Sequence, residues 1–264
     1  MTSMLIPGSA MAQQTTTWTG AVSTDWSDAG NWTNGLPGGT NTAVFSSSTT
    51  NFPTVLANYQ AKNLLFTGTG PQSILGAGLL TLTSQSQIEN QGAYLATIDV
   101  DLRAVSIMRA SNPNGGGLLL NGGMIPVFAS TTTFDAVNAA NTITIAGSYS
   151  SGKIFKVGDG TLLITGTATP LSTSISRGTL QIGDGGTSGA LSGAVADSGA
   201  LVFNRSDALT LAGAISGTGD VSQIGGGTTT LTAASTYTGA TTITSGTLAL
   251  TGAGSIAASS GVHD

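Results

Sequence analysis

Threonine alternates with leucine and isoleucine in short runs, most regularly between residues 226 and 256. In the runs at 230–232 and 242–244, neighbouring side chains alternate between polar and apolar, which places the apolar ones on one side of an extended strand. Glycines separate these runs at Gly239, Gly246 and Gly252. Because glycine can adopt a left-handed backbone without steric cost, the pattern predicts short β-strands joined by tight corners.

The same strand-and-corner unit recurs along the chain. Gly-Thr-Leu occurs at 178–180 and again at 246–248, and Gly-Thr occurs at 160–161 and at 227–228, so two blocks align with one residue of slippage. A single unit of this kind cannot bury its apolar face, whereas stacked copies bury a continuous core. The spacing of the weaker echoes between the blocks, roughly 20 residues, is typical of the coils of a solenoid.

The order of the repeated residues resembles the passenger-associated transport repeat of Gram-negative autotransporters. The copy at 220–256 carries the family residues Tyr237, Thr238, Gly239, Thr241, Thr242, Gly246, Thr247 and Leu248. The copy at 153–183 carries Lys156, Gly158, Gly160, Thr161, Leu162 and Gly166. Both copies depart from the pattern: the first has Pro170 in place of tyrosine, and the second has Gln223 in place of lysine and Thr229 in place of leucine.

This resemblance implies an all-β chain folded as a right-handed parallel β-helix. It implies a passenger that is exported, crosses the outer membrane of a Gram-negative bacterium with a β-barrel translocator as its partner, and is displayed at the cell surface or released. No segment after Gly252 has the pattern of barrel strands, so we expect a truncated passenger without the C-terminal barrel. The expected role is structural or adhesive, towards host or matrix surfaces, without catalytic activity and without a cofactor.

Composition agrees with a folded chain of this type. Charged residues make up only 7% of the sequence and hydrophobic ones 39%, with a mean hydropathy of +0.24, so apolar burial is available to offset chain entropy. The net charge is −5 and the seven Lys and Arg residues are spread out, which argues against nucleic acid as a partner. The absence of cysteine excludes disulfides and thiolate chemistry, and suits a protein that crosses a pore unfolded.

Residues 1–12 are interpreted as the remnant of a secretory signal peptide. The small residues at 10–12 fit a cleavage site, but the apolar run at 4–6 is far shorter than the roughly 7 to 15 residues of a complete signal. The segment 13–45 contains all three tryptophans, and residues 46–264 are predicted to form the β-helix. Exposed tryptophans could stack on sugar rings, but we favour a cap for the end of the solenoid, because terminal repeats need a distinct closing surface. The tryptophans are Trp18, Trp26 and Trp32.

One group of residues could carry chemistry. Asp99, Asp101 and Arg103 are spaced by two, so a continuous strand would point them to one side, with Arg109 a little further on. Some β-helix polysaccharide lyases resemble this arrangement, with clustered carboxylates, arginine and bound Ca²⁺. The alternative is a solvated strand face where such charges contribute little. We favour the second interpretation and assign no catalytic, cofactor-binding or metal-binding residue.

Two further segments are interpreted as loops. Residues 111–123, with one proline and several glycines, are predicted to form a long turn between coils. Asn204, Arg205 and Ser206 match a glycosylation acceptor, a pattern that is frequent by chance.

Two alternatives to the passenger stay open. A polysaccharide-active β-helix enzyme would need aspartate and arginine side chains from neighbouring coils to converge on one face. A structural surface-layer or matrix protein would need no ligand, and would associate through uncapped coils.

Overall fold

A computed structural model describes residues 14–46, 51–104, 108–127 and 129–264. The predicted signal remnant at 1–12 lies outside the described residues. Among those described, the one helix is a single 3₁₀ turn, Ala29–Asn31, and no helix is long and apolar enough to span a membrane.

The strands are short, and they occur at regular intervals along the described chain. In the first half they are β1 (Thr15–Thr17), β2 (Thr42–Phe45), β3 (Asn58–Phe66), β4 (Gln72–Ile74), β5 (Leu79–Asn90), β6 (Ala96–Ile98), β7 (Asp101–Ala104), β8 (Met108–Ser111), β9 (Leu118–Leu120), β10 (Met124–Pro126), β11 (Thr131–Asp135), β12 (Thr142–Ile145) and β13 (Tyr149–Ser150). In the second half they are β14 (Lys153–Val157), β15 (Thr161–Ile164), β16 (Thr167–Thr169), β17 (Ser172–Ile175), β18 (Thr179–Ile182), β19 (Ala190–Leu191), β20 (Val195–Asp197), β21 (Ala200–Phe203), β22 (Leu209–Leu211), β23 (Ile215–Gly217), β24 (Asp220–Gln223), β25 (Thr228–Leu231), β26 (Thr241–Ile243), β27 (Thr247–Leu250) and β28 (Val262–His263).

These strands stack into three faces of a β-solenoid, and each pair of neighbouring strands described is parallel. Face three is a ten-stranded sheet that contains β4, β6, β9, β12, β15, β18, β21, β24, β26 and β28. Face two contains β8, β11, β14, β17, β20 and β23, and face one contains β7, β10, β13, β16 and β19. Face one continues in the separate sheet of β22, β25 and β27, because Gly213 after β22 lies against the carbonyl oxygen of Gly193 after β19.

Faces one and two meet in the long strand β5. Residues 79–82 of β5 pair with β7 on face one, and residues 86–89 pair with β8 on face two. Gln85, between the two segments, has a φ of 56°, in the left-handed region. This bend directs the two halves of one strand onto different faces, and the same division occurs in β3.

The apolar side chains of the alternating runs fill the interior of the solenoid. In β12, Ile143 and Ile145 are buried, whereas Thr142 and Thr144 are partly exposed. Register places the two isoleucines beside Leu162 and Ile164 of the next coil. Each strand alone buries few side chains, but stacking makes columns of buried residues that run the length of the solenoid, and this burial is the main source of stability.

The predicted corners are present, although glycine is required for two different reasons. Gly246 and Gly252 have φ of 73° and 61°, as expected for left-handed corner residues. Gly239 is needed because of close stacking: a Cβ placed there would lie 2.0 Å from the carbonyl oxygen of Gly219. Coils only one strand spacing apart leave no room for a side chain at this corner.

The prediction of an all-β parallel solenoid is confirmed, whereas two local predictions are wrong. The continuous strand expected to carry Asp99, Asp101 and Arg103 is absent, because β6 ends at Ile98 and β7 begins at Asp101. The predicted long turn at 111–123 is interrupted by β9, which separates the turn at 112–117 from a second corner at 121–123. The short coil requires a corner at 99–100 and a strand at 118–120. In neither place does the alternation of polar and apolar residues mark where a strand begins or ends.

The three tryptophans are buried together beside the first strands. The ring centroids of Trp26 and Trp32 are 4.8 Å apart, those of Trp18 and Trp32 are 5.1 Å apart, and Trp26 stacks on Tyr59 of β3. None of the three is more than 4% exposed, so their faces are not available to stack on a sugar. The division of the chain into a cap at 13–45 and a rod at 46–264 stays a prediction.

Candidate functional site

Of the four residues proposed as a possible chemical cluster, the structure brings only two together on one side of a strand. Asp101 and Arg103 point outward from β7 on face one, whereas Asp99 lies at the corner before that strand. Arg109 is on β8 of face two. The spacing of two therefore unites only Asp101 and Arg103, because the corner at 99–100 interrupts the strand.

The two carboxylates make structural contacts with the following coil. The side-chain amide of Asn121 donates to Oδ1 of Asp99 at 2.6 Å, and the backbone N–H of Gly123 donates to Oδ1 of Asp101 at 2.7 Å. The register neighbour of Asp101 on the preceding coil is Leu79. Within the described ranges, no group of three or more His, Cys, Asp or Glu residues is arranged to hold a metal ion.

Arg109 forms an ion pair with Asp135 of β11, one coil further along face two. The Arg109 side chain is 50% exposed, so solvent and salt screen this pair. The pair stabilises the face weakly and leaves no unpaired arginine at this position.

The repeat lysine has a defined structural task. Lys156, in β14, is fully buried, and its Nζ donates to the carbonyl oxygens of Val157 at 2.7 Å, Gly158 at 2.8 Å and Arg177 at 3.1 Å. Burial lowers the pKa of Lys156 to about 8, against the opposing attraction of Asp135 and Asp159. The ammonium group holds the corner after β14 and joins it to the corner of the next coil.

Gln223 is the equivalent donor to the corner backbone in the second copy. Its Nε2 donates to the carbonyl oxygens of Gly225 at 2.7 Å and Gly227 at 3.3 Å. In both copies the donor bonds to the carbonyl of the glycine two residues later. Glutamine can therefore replace the family lysine, since an amide supplies the donor that the corner carbonyls need.

The two copies begin on different faces of the solenoid. Lys156 lies on face two and its Gly-Thr-Leu segment opens β15 on face three, whereas Gln223 lies on face three and its Gly-Thr segment opens β25 on face one. The repeat thus encodes a buried donor, a corner and the next strand, and it occurs at two different corners of the coil.

Tyr237, the family tyrosine of the second copy, fills the core at a position where the preceding coil has glycine. Backbone bonds from Thr236 to Ile215 and from Thr238 to Gly217 align Tyr237 with Gly217. The ring is fully buried and its hydroxyl lies 2.6 Å from Oγ1 of Thr241. Burial raises the pKa of the Tyr237 hydroxyl, so it stays protonated and pairs with the corner.

Asp197 was not singled out by the sequence analysis, although it is a buried ionisable residue. It ends β20, is 0% exposed, and accepts a hydrogen bond at Oδ1 from the N–H of Gly199 at 2.9 Å. Burial raises the pKa of the Asp197 carboxyl to about 6. The available signal was its inward position in the alternation Val195, Ala196, Asp197, which is weak in so short a strand.

The glycosylation pattern lies on the corner after β21. Asn204 is partly exposed, and the guanidinium of Arg205 pairs with Asp207 and donates to the carbonyl oxygen of Gly189. Arg205 is thereby used to connect two successive corners.

The fold and its contacts define a parallel β-solenoid in which buried polar side chains form hydrogen bonds with the backbone of the corners. Comparison with curated proteins finds similarity to the adhesin BmaC autotransporter of Brucella suis biovar 1 (strain 1330), with 31% identity over an alignment of 202 residues. That alignment covers 59% of this chain and only 6% of the relative. No family model matches the chain, and no solved structure matches it. The predicted resemblance to autotransporter passengers is confirmed by this homologue together with the solenoid fold.

Proposed function

We propose that this chain is part of an autotransporter passenger, a β-helical rod displayed at the surface of a Gram-negative bacterium with an adhesive or structural role. The observation that carries the proposal is the continuous stack of ten parallel strands on face three, in a chain similar to an adhesin autotransporter. A rod of this kind acts by extending a surface away from the cell. A translocator in the outer membrane and ligands on host or matrix surfaces are its proposed partners.

The name of the relative supports the adhesive role, because that protein is an adhesin autotransporter. The chain spans 6% of the relative's length, so the adhesive ligand of the longer protein is not carried over residue by residue. The contacts of the two carboxylates favour a rod over the polysaccharide-active alternative, because Asp99 accepts from Asn121 and Asp101 accepts from Gly123 of the next coil.

The test compares adhesion and catalysis on the same purified chain. Beads coated with the full chain are applied to animal cells and to immobilised extracellular-matrix proteins, with beads coated with an unrelated folded protein as the control. In parallel, the chain is incubated with acidic and neutral polysaccharides and polymer length is followed. Antibody labelling of intact bacteria that carry the gene reports whether the chain is displayed.

We expect surface labelling, retention of the chain-coated beads above the control, and unchanged polymer length. Depolymerisation that is lost in Asp101→Asn would instead establish the enzyme. Surface labelling without retention on any surface, combined with concentration-dependent association of the purified chain, would support the surface-layer or matrix alternative.

A further inference from the structure

Asp197 lies in the interior of the rod, in a column of otherwise mostly apolar residues. We call this set the inner column of face two. Successive coils contribute Ala43, Leu64, Ile88, Ala110, Phe134, Lys156, Ile175, Asp197 and Gly217. Asp197 is therefore flanked by Ile175 on one side and by Gly217, which has no side chain, on the other.

The carboxyl group is only half satisfied by hydrogen bonds. Oδ1 accepts from the N–H of Gly199, and the backbone N–H of Leu201 also favours the ionised form, whereas Oδ2 is buried and accepts no hydrogen bond from the described residues. The backbone of Gly219 passes directly over the group: a Cβ placed there would lie 2.4 Å from Cγ and 2.6 Å from Oδ2. A buried ionised carboxylate with an unpaired oxygen destabilises the folded state, whereas the neutral acid does so much less.

The charges around Asp197 do not offset its own. Asp220, at the start of β24, adds repulsion. Lys156 lies in the same column but two coils away, about 10 Å by strand spacing, with Ile175 between them. Arg177, on the corner after β17, pairs with Asp159. The strands β17, β21 and β23, which pack around Asp197, contain no titratable side chain. Beyond Gly217 the next coil contributes Tyr237, whose buried hydroxyl is uncharged and hydrogen-bonded to Thr241.

We propose that Asp197 makes the coils from β20 to β24 proton-sensitive: mild acid neutralises the buried carboxyl group and tightens these coils, and neutral pH ionises it and loosens them. This goes beyond the role as a displayed rod and does not depend on it. It gives the rod a segment whose stability follows the pH of its surroundings.

The direction follows from the pKa of Asp197, which is about 6 in the folded chain and 3.8 in its ordinary state. Since the folded state binds this proton more tightly, the stabilisation is complete below pH 3.8 and is lost as pH rises through about 6. Each pH unit between these values changes the unfolding equilibrium constant about tenfold.

The experiment measures local opening of the full chain by amide hydrogen exchange between pH 4.5 and 7.5, after correction for intrinsic exchange rates. Exchange is compared for β20–β24 and for β12–β15, which lie outside the segment. Asp197→Asn, which is close in shape to the neutral acid, is the test variant. Asp220→Asn, a change at an exposed neighbouring carboxylate, is the matched control.

We expect the opening constant of β20–β24 in the wild-type chain to rise about 30-fold over this range. Asp197→Asn should abolish that rise, and Asp220→Asn should retain most of it. An unchanged pH dependence in Asp197→Asn would overturn the proposal. If that variant does not fold, ¹³C NMR of the wild-type Asp197 carboxyl decides: a midpoint near 6 supports the proposal, and one near 4 overturns it.

Discussion

The corners after Lys156 and after Asp197 occupy equivalent positions two coils apart, yet they differ in how many hydrogen-bond partners they give to the buried ionisable group. Nζ of Lys156 has three carbonyl partners, whereas the carboxyl group of Asp197 has a donor at one oxygen and none described at the other. Both groups lie in the inner column of face two, and both are completely buried.

The difference comes from the length of the corner. Residues 158–160 separate β14 from β15, and the longer path turns the carbonyls of Val157 and Gly158 towards the ammonium group. Only residues 198–199 separate β20 from β21. In this shorter corner the N–H of Gly199 points towards the carboxyl group of Asp197. A solenoid column can thus contain an ionisable residue of either sign, provided that the corner presents the complementary backbone group.

The largest effect is expected from Gly219→Ala, which tests how rigidly Asp197 is enclosed. The new methyl group would lie 2.4 Å from the carboxyl carbon of Asp197, which is fully buried, so the substitution requires this carboxyl group to move within the packed interior. We expect a loss of about 3 to 4 kcal/mol in the free energy of unfolding, measured by chemical denaturation of the full chain. Gly226→Ala, where the nearest atom would be 3.9 Å away, is the control and should change stability by no more than about 0.5 kcal/mol.

Removing the carboxyl group should relieve that clash. In the double variant Asp197→Ala with Gly219→Ala, the methyl group at 219 has room, so the combined loss should be smaller than the sum of the single losses by about 1 to 2 kcal/mol. Strict additivity would mean that the carboxyl group moves aside easily, and it would remove the contrast between the two corners.

Sequence patterns predicted the strands and the repeat but not the location of the buried charges. Lys156 and Gly158 were found because the family motif contains them, whereas Asp197 stands in a strand of three residues where alternation carries little information. The motif also could not assign faces, since its copies at Lys156 and Gln223 begin on different faces of the solenoid. Asp99 was wrongly placed on one strand with Asp101, because the spacing of the charged residues did not reveal the corner at 99–100.

A smaller effect is expected from titration of Lys156, which should respond to pH in the opposite sense from Asp197. Its folded-state pKa is lowered from 10.5 to about 8, so the unfolded chain binds the proton more tightly. The free energy of unfolding should therefore increase by about 2 kcal/mol between pH 8 and 9.5. As pH falls through 8 this stabilisation is lost, because Lys156 is then protonated in both states. Denaturation at a series of pH values measures this slope.

Lys156→Met is the variant that checks the assignment of this alkaline slope. It should flatten the rise above pH 8, because methionine does not titrate. A slope that persists in Lys156→Met would assign it to another group, and the two corners would then no longer form a pair of opposite pH responses.

The smallest effect is the loss of hydrogen bonds at the Lys156 corner at neutral pH. Lys156→Met leaves three carbonyl oxygens without this donor but also removes a buried charge, so the two contributions partly cancel. We expect a net loss of about 1 to 2 kcal/mol in chemical denaturation at pH 7. Lys156→Gln should lose less than half as much, because Gln223 already holds the equivalent glycine carbonyl at 2.7 Å. If methionine were as stabilising as lysine, the charge would cost as much as its hydrogen bonds contribute, and the Lys156 corner would be no better satisfied than that of Asp197.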